Sequence, residues 1–179
     1  MNGAIYLRDA LLRFREAQAQ ADRALAQVPF ERWAERLDPE SNSLATLLLH
    51  LSGNMRSRWT DFLQSDGEKP DRDRDAEFED PDGLSQEALL ARWAQGWACL
   101  FAALEALQET DLDRTITIRG QPHTVLEAIN RQLAHYPYHV GQLVFLAKHL
   151  ATEPWQSLSV PRHGSVAFNA AMFKRPSES

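Results

Sequence analysis

The sequence predicts an all-α protein, a four-helix bundle with a long crossover between its second and third helices. Three observations carry that reading. Four stretches place apolar residues at three- and four-residue steps, the spacing of one helix face. Thr124, followed three residues later by Glu127, is a capping box that marks a helix start. Between the second and third stretches, Ser65 to Gly83 is dense in Asp, Glu and Pro and has no helical period. A connection of that length in a bundle links helices that are not short-loop neighbours.

The first helix is expected from Ala4 to about Val28, with Ile5, Leu11, Leu12 and Leu25 on its apolar face and Pro29 as its stop. Ser41, Asn42 and Ser43 offer N-caps for the second. Leu44, Leu48, Leu51, Met55, Trp59 and Phe62 carry that helix to about Gln64. The crossover, interrupted by Pro70 and Pro81, reads mostly as solvated charge, with Arg74 and Phe78 as the residues able to pack back on the bundle. Ser85 caps a third helix to about Glu109, with Leu89, Trp93, Trp97, Leu100, Leu104 and Leu107 inward. Cys99 is read as inert packing on the same interior side, and the five tryptophans as core and rim packing rather than a ligand cage.

Arg114 to Arg119 alternates around Ile116 and Ile118, Gly120 supplies a turn, and Gln121 to His123 returns as a small β-hairpin. The fourth helix starts at Thr124. One seam runs through Leu126, Ile129, Leu133, Tyr136 and Val140, and the neighbouring one through Gln132, His135, His139 and Gln142. Beyond Thr152 the period is lost, and Trp155, Leu158, Val160, Pro161 and Phe168 suggest an irregular tail that wraps the bundle. The chain reads as one domain, 1–179, with 151–179 as that tail.

The composition excludes several classes. At 179 residues and 44 % hydrophobic content the chain can build a sizeable core. A net charge of −6 argues against nucleic acid as the main partner, because phosphate binding needs a basic footprint. One cysteine rules out an internal disulfide and fits a reducing cytoplasm. Met1 to Ala10 lacks a secretory pattern, and no stretch reaches the roughly 20 apolar residues of a membrane span. A soluble, cytoplasmic protein with neither nucleic acid nor membrane as partner is the expectation. Neither a phosphate loop nor a nucleophile elbow is present.

The chemistry lies in three histidines. His50 sits on the second helix, and His135 and His139 lie four residues apart on the fourth, each beside an apolar seam. Any one of them alone is more often a core histidine with a single hydrogen-bond partner. Together they fit the metal sites that bundles build between facing helices. An i, i+4 pair shares a helix face, and imidazole is the commonest neutral ligand. Three such ligands leave positions for water or substrate, which is the pattern of catalytic sites. Zinc, nickel and iron all accept the set. Asn54 and Arg58 lie in register with His50, and Gln132 and Gln142 beside the paired histidines, as groups that could orient the rings. Pro137, between the pair, removes a backbone donor and either tilts the rings together or spoils the simple spacing. His123, His149 and His163 read as solvated or capping residues.

The segments LLLHLSGNMRSRWTDFL, EKPDRDRDAEFED, HYPYHVGQLVFLAKHL and WQSLSVPRHGSVAFN, with one histidine in the second helix and HxxxH in the fourth, resemble the DinB-like (YfiT-like) superfamily of metal-dependent enzymes. As a set they look like an uncharacterised, domain-of-unknown-function branch of it. The resemblance covers nearly the whole chain. It implies His50, His135 and His139 as ligands of a divalent metal, a homodimer, and a transferase or isomerase reaction using a low-molecular-weight thiol held as its thiolate. No thiol-recognition or catalytic residue is assigned. A metal-dependent hydrolase and a non-catalytic, stress-related metal-binding bundle stand as alternatives, and the metal and the small-molecule substrate stay open.

Overall fold

The structure, a computed structural model, describes residues 2–79 and 83–173. Pro81 in the crossover and 174–179 in the tail lie outside the described residues. Its elements are α1 (Gly3–Leu25), α2 (Leu44–Trp59), α3 (Gln86–Glu105), the hairpin β1 (Thr115–Ile118) and β2 (Gln121–Thr124), α4 (Val125–Leu150) and α5 (Ser165–Met172). The mostly helical bundle with its small hairpin before the last long helix is as expected.

The inward stripe of α1 is Leu7, Ala10, Phe14, Ala17, Ala21 and Ala24, at alternating three- and four-residue steps. Ile5 and Leu12, expected on that face, are instead 54 % and 49 % exposed. Small alanines set the buried face here, and large apolar residues on the far side drew the sequence reading away from it.

α2 is buried along nearly its whole length. Ser43 caps it, its Oγ accepting from the Thr46 amide at 3.1 Å. It ends at Trp59 rather than Gln64, because Asp61 turns at φ 46° and its carbonyl takes the amides of Gln64 and Ser65. Phe62 stays buried because the turn folds it onto Trp59, ring centroids 5.1 Å apart. α3, capped by Ser85, likewise stops at Glu105, and Leu107 is buried beyond its end. At Gly96 a Cβ would lie 2.9 Å from Met55 Cε and 3.0 Å from Ser52 Cα, so the close approach of α3 to α2 requires glycine. Cys99 is half-buried, its sulfur 3.4 Å from the Thr60 hydroxyl.

Ile118 pairs with Gln121, leaving a two-residue turn, Arg119 and Gly120, with φ of 53° and 72°. Both positive values make it the hairpin turn whose twist matches the strands. Asp66 of the crossover accepts from both turn amides at 2.8 Å, and the Gly67 amide donates to Thr117. The hairpin thereby holds the crossover against the bundle.

The capping box at the head of α4 is complete: Thr124 Oγ1 accepts from the Glu127 amide and Glu127 from the Thr124 amide. The helix runs through Pro137 to Leu150. Within the core, Trp59 Nε1 donates to the Tyr136 hydroxyl, which donates to Asn54 Oδ1, both at 3.1 Å, tying α2 to α4.

The tail is less of a wrap than expected. Trp155 and Leu158 pack on the core, whereas Val160 and Phe168 are exposed and the expected irregular end forms α5, with no buried residue.

Candidate metal centre

α2 and α4 face each other where His50 meets His135 and His139. His50 and His139 are buried and His135 is half-buried. The Nε2 atoms converge: His50 to His135 at 3.4 Å and His135 to His139 at 3.1 Å. One ligand atom from each ring lies within 4.8 Å of the others, close enough to bind a metal ion. Pro137 therefore leaves the paired rings facing one point.

Each Nδ1 is engaged on the outer side. His50 Nδ1 meets Glu77 Oε2 at 3.0 Å, His135 Nδ1 meets Gln132 Oε1 at 3.1 Å, and His139 Nδ1 meets Gln142 Oε1 at 3.1 Å. A carboxylate only accepts, so His50 Nδ1 donates its proton to Glu77 and Nε2 is the atom turned toward the other two rings. The two amide oxygens ask the same of the other rings. Burial, reinforced by His139 and His50, pushes His135 down to about 3, and burial pushes His139 down as well, so both are neutral donors at neutral pH.

The remaining residues expected around the rings lie elsewhere. Asn54 is committed to Tyr136, and Arg58 binds the Gly67 carbonyl and Glu68. His149 and His163 are exposed and His123 is half-buried, none of them in the cluster.

Sequence reasoning missed Glu77 and Arg72, assigned to a solvated charge run. Glu77 is buried at 9 % exposure, and Arg72 grips it with two bonds of 2.7 Å. Burial alone would raise the Glu77 carboxyl, but the hydrogen bonds from Arg72 and His50 outweigh it and hold the group below its ordinary value. Arg72 continues to Glu68, which also receives Arg58 and Arg119. Phe78 lies on the His50 ring at 4.6 Å, and Arg74 stands over Phe78 at 4.9 Å while staying exposed. The available signal was an aromatic residue directly after an acid inside a polar run. A cleft of about 630 Å³ opens beside α2, lined by Gly53, Arg56, Lys69, Arg72, Glu77 and Arg92 among others. The histidines do not line it.

These features define a helical-bundle protein with three histidines placed to hold a metal ion. Residues 2–164 match the family described as "Protein of unknown function (DUF1572)", and the chain belongs to that family. No curated protein matches the chain in sequence. No helix among the described residues is long and apolar enough to cross a membrane.

Proposed function

We propose that the protein is a metal-dependent enzyme whose divalent ion is held by Nε2 of His50, His135 and His139. The observation that carries it is the convergence of three ring nitrogens whose Nδ1 atoms are occupied. Without a cation, inward lone pairs at this spacing repel and lack donors. A tetrahedral ion with arms of about 2.0–2.1 Å spaces its ligands about 3.3 Å apart. The separations of 3.1 and 3.4 Å agree with that. Zinc, nickel and iron all suit the donor set.

A bound ion supplies Lewis acidity, lowering the pKa of a thiol or water that joins it. The finer reading is a transferase that moves a low-molecular-weight thiol onto a small electrophile, supported by the open three-histidine set and the DinB-like resemblance. Hydrolysis ranks second because Glu77, the carboxylate bonded to the cluster, is committed to Arg72 and His50 and is no ready general base. The reading places the protein in the cytoplasm, as a homodimer, with a small molecule as its partner.

Metal-loaded, tag-free protein is assayed for thiol consumption with an aryl halide and, separately, for ester cleavage without thiol. The expected result is thiol-dependent turnover that His139→Ala abolishes. Ester cleavage alone would shift the assignment to hydrolase, and metal binding without either would make the bundle non-catalytic.

A further inference from the structure

We propose that Glu77 is a positioning residue of the metal centre, fixing His50 for ligation through Nε2 and making metal binding and docking of the crossover one coupled event. This rests on the three-histidine reading above. Glu77 comes from a segment 27 residues beyond His50 in sequence, yet its Oε2 sits 3.0 Å from His50 Nδ1. Arg72 Nε and Nη2 hold its two oxygens at 2.7 Å, and both side chains are at least nine-tenths buried. Arg72 is tied in turn through Glu68 to Arg119 in the hairpin turn, and Asp66 binds that turn's amides.

Gly53 lies one helical turn after His50, facing the Glu77 carboxylate. A Cβ there would lie 2.1 Å from Glu77 Oε1 and 2.7 Å from its Cδ, so the carboxylate lies flat on α2 only because residue 53 lacks a side chain. Backbone, charge pair and ring are thus fitted to one arrangement. Carboxylate partners of metal-bound imidazoles set tautomer and orientation, and losing one typically costs roughly 10–100-fold in metal affinity. By reciprocity, whatever factor Glu77 docking contributes to metal affinity, the metal returns to docking.

Two variants of the full chain test this, with Zn²⁺ as the probe and circular dichroism as the check on folding. Gly53→Ala keeps every ligand and charge and raises the helix propensity of α2, while displacing the carboxylate. Arg72→Leu with Glu77→Leu removes the buried pair together, leaving no orphan charge. Each variant should bind one Zn²⁺ roughly 10–100-fold more weakly than the unaltered protein. Zn²⁺ should slow hydrogen exchange over residues 66–78 in the unaltered protein and not in the variants. If the double variant does not fold, Gly53→Ala decides alone. Folded variants that match the unaltered protein in affinity and in exchange would overturn the role of Glu77 while leaving the metal reading intact. Failure of the unaltered protein to bind Zn²⁺ would overturn both.

Discussion

At the scale of single residues, each ring of the cluster meets a side-chain oxygen through its Nδ1. His135 is pushed from 6.5 to about 3 by burial, reinforced by His139 and His50. In the unfolded chain it takes up a proton near 6.5, whereas in the folded, metal-free protein it does so only near 3. Between those values the unfolded state binds more protons. The stabilisation is therefore complete above pH 6.5 and is lost as the pH falls toward 3, so melting temperatures of metal-free protein should drop across that window. His135→Gln should flatten part of the slope, and equal slopes would contradict the assignment. Tyr136 offers a second test, since its hydroxyl links Trp59 Nε1 to Asn54 in the core. Tyr136→Phe leaves both groups buried and unpaired there, and denaturant unfolding should show a loss of about 1–3 kcal/mol. The three histidines were legible in sequence because polar rings beside apolar seams are conspicuous. Glu77 was not, because a carboxylate in an acidic run differs from its neighbours only through contacts made in three dimensions.

At the scale of elements, helices were readable and their ends were not. Phe62 and Leu107 continue the apolar rhythm beyond α2 and α3, yet both are buried from turns, so periodicity overran the helices by a few residues. α1 shows the reverse fault, since alanines, weak in any hydrophobic count, form its buried stripe. Where small residues decide packing, substitution should be costly. Gly96→Ala would bring a methyl to within 3.0 Å of the Ser52 Cα on the facing helix. It should destabilise the protein by about 1–3 kcal/mol despite the better intrinsic helix propensity of alanine. Thermal unfolding measures this, and a stabilised variant would show that the two helices can separate without loss.

At the scale of the whole molecule, the crossover is the part whose meaning changed most. In sequence it is charge and proline; in the fold, buried Arg72 and Glu77 carry it from the hairpin turn to His50. Long-range pairing of this kind leaves no periodic trace. The C-terminal helix α5 stands apart, with no buried residue and beyond the 2–164 span shared with the family. Truncation after Gly164 should leave the melting temperature and metal content unchanged; a large drop would mean that the end of the chain supports the bundle. X-ray absorption at the metal edge of tag-free, metal-loaded protein reads whether one ion is bound by three ring nitrogens. Three imidazole nitrogens at about 2.0–2.1 Å are expected for zinc, falling to two in His139→Ala. A spectrum of hydrated ion without imidazole scattering, unchanged by that substitution, would contradict binding by the three histidines.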